Sequence, residues 1–192
     1  VQNVLKKTAE LDIRVICPLH GPIWRTNLDY IIEKYDTWSR YEPEEAGVMI
    51  AYASMYGNTE NMAEIFAAIL AEAGVKNIRM HNISKTHVSE LISDSFKYSH
   101  IILAAPTYNN GIYPLMHSYL EDMKALSLQN RTIAVLGNGT WAPQSSKLIS
   151  AKIGEMKNMR LLDLAITIKS SVKDSHMEEI QSLARQIAAE VL

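Results

Sequence analysis

The sequence predicts an α/β protein, a doubly wound five-stranded parallel sheet in the order 2-1-3-4-5 with helices on both faces. Three observations carry this. From Val48 onward, short apolar runs alternate with amphipathic stretches of helix length. The runs are apolar throughout rather than alternating, as in strands covered on both faces. The connections are long enough for crossover helices, and right-handed crossovers lead to that strand order.

The first strand is Val48 to Ala53. The turn Ser54-Met55-Tyr56-Gly57-Asn58-Thr59 follows, then a helical stripe of Met62, Ile65, Phe66, Ile69 and Leu70 at 3.6-residue spacing. The second strand is expected over Asn77 to Ile83, with a helix from His87 to Phe96. The third strand is expected over His100 to Ala105, with a helix starting after Pro114, where proline suits the first helical turn. The fourth is expected over Thr132 to Leu136, with a helix from Gln144 to Met156. The fifth is expected over Leu161 to Ile168. The last helix should run from His176 to the end, with Met177, Ile180, Leu183, Ala184, Ile187 and Val191 on one face.

Residues 1–47 read differently. Val1 to Leu11 is a helix-like scrap and Ile13 to Cys17 a short β-branched run. Asn27 is placed to cap a helix through Tyr30, Ile31, Ile32 and Tyr35, and Tyr41-Glu42-Pro43-Glu44-Glu45 reads as a linker. This stretch has too little apolar material for a core of its own. It reads as the trailing end of another domain, and the opening Val1, in mid-pattern, points to a fragment or a processed product. The expected division is therefore 1–47 and 48–192.

The totals exclude several classes. With 192 residues, 47% hydrophobic and 21% charged, the chain is globular. A net charge of −2 offers no basic field for nucleic acid. No apolar run approaches the roughly 20 residues of a membrane span. Cys17 is the single cysteine, so there is no disulfide framework and a reducing, cytoplasmic compartment is the default. Cys17 is expected to be a buried strand residue. Glu44-Glu45 and Glu178-Glu179 are expected on solvated faces, and His81, His87, His100, His117 and His176 to be solvated or packed rather than catalytic.

The turn after the first strand carries the first functional signal. A strand-to-helix turn exposes unpaired N–H groups at the positive end of a helix dipole, which suits an anion such as phosphate. Ser54, Asn58 and Thr59 add neutral donors, and Gly57 lets a ligand approach the backbone. The stretch lacks the Gly-Lys-Ser/Thr of a P-loop and lacks Gly-x-Gly-x-x-Gly. The bland alternative is a polar turn that only caps a helix. Two more loops converge at the same edge. One is Pro106-Thr107-Tyr108-Asn109-Asn110-Gly111-Ile112-Tyr113-Pro114. The other is Gly137-Asn138-Gly139-Thr140-Trp141-Ala142-Pro143-Gln144-Ser145-Ser146. Tyr108 or Ile112 on one side and Trp141 on the other would make a flat slot for an aromatic ring system. Amides near Asn109 to Gly111 and Asn138 to Thr140 would meet its polar edge. For Trp141 alone, the alternative is an aromatic packed on its own turn.

Ser/Thr-x-x-Gly-Asn-Thr after the first strand resembles the phosphate loop of the flavodoxin family, which binds the phosphate of FMN with neutral donors. Together with Pro106-Thr107-Tyr108-Asn109-Asn110-Gly111-Ile112-Tyr113-Pro114, the chain resembles the flavodoxin-like half of flavodiiron proteins, or A-type flavoproteins. In that family a metallo-β-lactamase-like domain with a di-iron site comes first, and its last iron-binding histidine lies in a Pro-x-His-Gly-x-x-Trp-like stretch. Pro18-Leu19-His20-Gly21-Pro22-Ile23-Trp24 stands at the corresponding place. The resemblance runs from about Ile13 to the end. It departs in the third loop, where Asn138-Gly139-Thr140-Trp141 continues into Ala142-Pro143-Gln144 instead of a glycine-rich stretch.

The resemblance implies a flavodoxin-like fold, an FMN site at Ser54–Thr59, Pro106–Gly111 and Asn138–Trp141, and His20 as an iron ligand in the full-length protein only. It further implies reduction of dioxygen or nitric oxide by the intact protein, a small redox partner such as a rubredoxin, and a head-to-tail homodimer when full length. The His-x-Glu-x-Asp-His cluster of the di-iron site is not in these residues, and one histidine cannot hold two irons. The expected role is thus an electron-transfer module whose redox chemistry belongs to FMN, with no catalytic side chain. Two other readings stand beside it. One is a flavodoxin-like FMN quinone or NAD(P)H reductase, which needs a pocket for the second substrate. The other is a receiver domain, which needs an aspartate ending the third strand where Ala104-Ala105-Pro106 stands.

Overall fold

The computed structural model describes residues 1–163 and 165–192. Two helices, α1 (Gln2–Thr8) and α2 (Leu28–Ser39), precede the alternating part, which runs β1 (Glu45–Tyr52), α3 (Asn58–Glu72), β2 (Ile78–Asn82) and α4 (Val88–Lys97). It continues with β3 (Tyr98–Tyr108), β4 (Gly111–Ile112), α5 (Pro114–Ala125), β5 (Thr132–Asn138), α6 (Ser145–Gly154), β6 (Arg160–Leu161), β7 (Ile166–Ile168) and α7 (Asp174–Val191). The sheet order is β2-β1-β3-β5-β6, with β7 also beside β5 and β4 paired to β3. Apart from the antiparallel β3–β4 pair, every strand pairing in the sheet is parallel. This is the 2-1-3-4-5 arrangement expected.

The uniformly apolar strands explain the layers. Val48, Ile50 and Tyr52 of β1 face a core built with Phe66 and Leu70 of α3 and Leu183 and Ile187 of α7. Met49, Ala51 and Ala53 face the opposite core, with Leu91 of α4, Met116, Leu120 and Met123 of α5 and Ile149 of α6. With both faces covered, each buried Leu, Ile or Phe contributes about 1.5–3 kcal/mol over its exposed state.

Three differences from expectation have physical reasons. The fifth strand is two short segments, β6 and β7, against opposite ends of β5; Leu164, within the expected strand, lies outside the described residues. β3 runs on to Tyr108 and turns back into β4 through Asn109 (φ 46) and Asn110 (φ 56). Two successive positive-φ residues are what a two-residue type I′ hairpin requires, and asparagine tolerates that backbone. Asn27 holds the N-cap position of α2, but with left-handed backbone (φ 54) and no side-chain bond to the helix.

Residues 40–45 are held at the amino ends of the strands. Arg131, just before β5, is 1% exposed. It donates to backbone carbonyls of Tyr41 (2.7 Å), Phe96 (2.7 Å), Gln129 (2.9 Å) and Ser95 (3.0 Å). Glu44 is paired with Lys34 and accepts from the Trp38 indole, so it is not on a solvated face. Cys17 is exposed, not buried: Ile13–Cys17 forms no strand, and its only pairing is an isolated bridge from Ile16 to Trp24.

Candidate functional site

Parallel strands bring the loops after β1, β3, β5 and β7 to one edge. Loop one opens with Ser54, whose Oγ accepts the Gly57 N–H at 3.1 Å. Gly57 takes φ 84 at the N-cap of α3, and a Cβ placed there would meet nothing within 4 Å. The first bond into the helix runs from Asn61 N–H to Gly57 O, so the N–H groups of Asn58, Thr59 and Glu60 face the open side without an intrahelical partner. Thr59 is 2% exposed, so its hydroxyl is packed away from solvent. Met55 and Tyr56 point into solvent, Tyr56 at 89%. The loop's one carboxylate, Glu60, accepts the Tyr52 hydroxyl at 2.8 Å. Burial, then Glu60, pushes Tyr52 up to about 12, so it stays a neutral phenol. The donor set is neutral.

Loops two and three lock together through Thr107. Its Oγ1 accepts the N–H groups of Gln144 (2.9 Å) and Ser145 (3.1 Å), the start of α6. Thr107 thus caps a helix, and its oxygen is already used. A Cβ on Gly139 would come within 3.0 Å of that oxygen and 2.9 Å of Pro143 Cα, so glycine is needed where the loops touch. Pro106 is buried in register with Asn138, and Asn109 and Asn110 form the exposed hairpin tip beside half-exposed Gly111. Tyr108 is half in solvent, edge-on to Tyr113 at 6.3 Å. Thr140 is exposed and Trp141 is 94% exposed. Trp141 therefore does not pack on its own turn, which removes the bland alternative for it.

Asn138 differs from expectation. Its side chain turns inward, 5% exposed, and bonds both backbone groups of Ser170: Nδ2 donates to the carbonyl at 2.8 Å, and Oδ1 accepts the N–H at 3.1 Å. The Gly139 N–H is taken by Ile168 O at 3.1 Å. Of the amides expected from Asn138 to Thr140, those of Asn138 and Gly139 belong to the scaffold. The sequence reading missed the loop after β7. Its signal was general: every parallel strand delivers a loop to this edge, and Lys169-Ser170-Ser171 follows the last one.

Neutral donors around a helix N-terminus, an open glycine and solvent-facing aromatic rings suit a phosphorylated ring cofactor held by its backbone-lined ends. The sequence profile of the flavodoxin family matches residues 50–186. The chain belongs to the flavodoxin family. The cofactor of such a domain is FMN, and the residues present fit it.

Among curated relatives, the rubredoxin-oxygen oxidoreductase of Megalodesulfovibrio gigas is 27% identical over 175 residues, 90% of this chain and 43% of that protein. The nitric oxide reductase of Moorella thermoacetica is 26% identical over 181 residues, 94% of this chain and 45% of that protein. The chain spans about half the length of the curated relatives it matches. Among solved structures, the flavodiiron protein of Giardia intestinalis superposes with a TM-score of 0.90 at 20% identity, covering 99% of this chain and 47% of that one. An archaeal flavodoxin superposes with a TM-score of 0.65 at 23% identity, covering 76% of this chain and 98% of that one. These likenesses show the fold. The archaeal flavodoxin covers about three quarters of this chain, whereas the flavodiiron protein covers nearly all of it.

His20 is exposed. Among the described residues there is no group of three or more His, Cys, Asp or Glu side chains able to hold a metal ion. No described helix is long and apolar enough to cross a membrane.

Proposed function

We propose that this chain is the FMN-carrying electron-transfer domain of a flavodiiron-type oxygen or nitric oxide reductase, with residues 1–47 the end of its preceding metallo-β-lactamase-like domain. A contrast in coverage supports the reading: a flavodiiron protein matches 99% of this chain, whereas the archaeal flavodoxin matches 76% of it. A second observation supports it. α1, α2 and the 13–24 stretch leave an apolar cavity of about 580 Å³, lined by Val4, Leu5, Ile13, Trp24, Ile31 and Tyr35 among others. Such a face suits the rest of a domain. On this reading His20 is one ligand of a di-iron centre completed by residues of that domain.

FMN supplies one- and two-electron transfer when bound. The chain's part is to hold it. The N–H groups of Asn58, Thr59 and Glu60, with the Ser54 and Asn58 side chains, would hold the phosphate. Tyr108 and Trp141 would contact the ring, and the Asn109–Gly111 and Thr140 amides would meet its polar edge. Segment 1–47 is anchored at the amino ends of the strands and the FMN loops lie at the carboxyl ends. β3 alone, with 11 residues, spans about 36 Å. That separation supports transfer between subunits in a head-to-tail dimer. The electron donor would be a small redox protein such as a rubredoxin. A free, exposed cysteine suits a reducing cytoplasmic setting.

The test is the visible spectrum of the purified 192-residue chain after FMN is added and the excess removed by desalting. Retained flavin absorbance is expected, with at least a tenfold loss of affinity in Trp141→Ala and no change in its unfolding midpoint. A chain that stays colourless overturns the reading.

A further inference from the structure

We propose that Ser170, in the loop after β7, is a positioning residue of the FMN phosphate site, tying the phosphate loop to the loop after β5. This rests on the FMN reading above. Ser170 has φ 69, a left-handed backbone that glycine takes freely and a residue with a Cβ takes rarely. Strain of this kind persists only where the surroundings impose it, and here they do. The Asn138 side chain bonds the Ser170 carbonyl at 2.8 Å and the Ser170 N–H at 3.1 Å. Because Asn138 is 5% exposed, it cannot swing to solvent without losing both bonds inside the protein.

What this clamp fixes is the backbone from which the hydroxyl projects. Ser170 Oγ lies 3.5 Å from Asn58 Nδ2, the outer limit of a hydrogen bond. Asn58 is the first residue of α3, beside the unpaired N–H groups of that helix. The contact has a chemical sense. A carboxamide nitrogen carries two hydrogens and a hydroxyl one. If Asn58 donates to Ser170, the serine lone pairs face the amide instead of an incoming phosphate. One amide hydrogen and the serine hydrogen remain to be donated to the anion. Both groups then act as oriented donors at the positive end of a helix. Two loops that the sequence separates by more than a hundred residues are thereby held in one register, through a residue whose backbone glycine would adopt more easily.

The test is Ser170→Gly in the 192-residue chain. Glycine keeps both backbone bonds to Asn138, relieves the positive φ and removes only the hydroxyl. The unfolding midpoint of the apoprotein should stay level or rise, while the FMN dissociation constant, read well below that midpoint, should weaken by about threefold to tenfold. In the double variant with Asn58→Ala, the loss should be smaller than the product of the two single losses, because the two groups act together. A Ser170→Gly chain that binds FMN as tightly as the parent overturns the inference, whatever its stability. So does a double variant in which the two losses multiply. Asn58→Ala separates the levels: if it weakens FMN and Ser170→Gly does not, the FMN site stands and only the role of Ser170 falls. If the parent chain takes up no FMN, both fall together.

Discussion

The two ends of the sheet are built from opposite materials. At the amino ends the chain buries one charge and pairs others nearer the surface. Arg131 is enclosed by backbone carbonyls, Glu190 bridges Arg160 and His100, and Lys97 meets Glu45. At the carboxyl ends the loops carry hydroxyls, amides and glycines, and leave Tyr56 and Trp141 in solvent. A junction that must hold one geometry uses interactions that are costly to leave half-made. A site that must receive an anionic cofactor offers backbone N–H groups, hydroxyls and amides at the start of its helix.

The sharpest way to break this contrast is Arg131→Met. Burial lowers the guanidinium to about 10, still well above neutral pH, so a buried cation is what the carbonyls of Tyr41, Ser95 and Phe96 receive. Methionine would leave those carbonyls without donors. The expected cost is about 3 kcal/mol or more, read by urea unfolding, with FMN affinity of the folded chain within about twofold of the parent. Should affinity fall with stability, the two ends would not be independent.

Thr107→Val sharpens the comparison at the site end. Valine has the same shape but no acceptor for the Gln144 and Ser145 N–H groups. Losing such a cap costs about 1–2 kcal/mol, visible as a lowered thermal midpoint. Because α6 and Gly139 set loop three, FMN should also bind more weakly, unlike in Arg131→Met. An unchanged midpoint would mean that the helix start is satisfied by water and that Thr107 is free for the ligand.

How much of this was legible in the sequence follows from what each feature depends on. Strand order needed only periodicity and handedness, and both act locally: Val48–Ala53 and Ile101–Ala105 are apolar on both faces because both faces are covered. The turn at Gly57 was legible because only a few residue types suit a helix N-cap. The inward turn of Asn138 was not, since an asparagine in a loop reads the same whether it meets a ligand or a backbone 32 residues later. Ser170 was hidden for a related reason, because a serine carries no mark of positive φ. Arg131 reads as an ordinary surface cation, and its burial depends on carbonyls from three separate segments. Cys17 and Glu44 were misjudged because exposure in the first 47 residues is set by tertiary packing, not by local pattern.

The smallest expected effect is at Glu190, and its sign follows from its partners. Hydrogen bonding from Arg160, opposed by burial and aided by His100, holds the Glu190 carboxyl at about 2 instead of 4.5. A carboxylate lowered in this way adds stability above pH 4.5, and that stability is lost as pH falls from there through about 2. His100 is lowered too, but for a cationic acid that has the opposite effect on stability. Burial lowers it below 6.5 while Glu190 pulls it back up and Arg160 lowers it further; Ser99, at its other ring nitrogen, is uncharged. In Glu190→Gln, His100 loses that upward pull, so the variant should lose further stability as pH drops below 6.5. The parent-minus-variant difference should therefore be small at pH 7, under about 1 kcal/mol for so exposed an arginine. It should widen from 6.5 to near 4.5, then close again toward pH 2. Denaturant midpoints measured across that range decide it: a difference that stays flat would mean the pair is screened by solvent and that the amino-end charges which hold the junction reduce to Arg131.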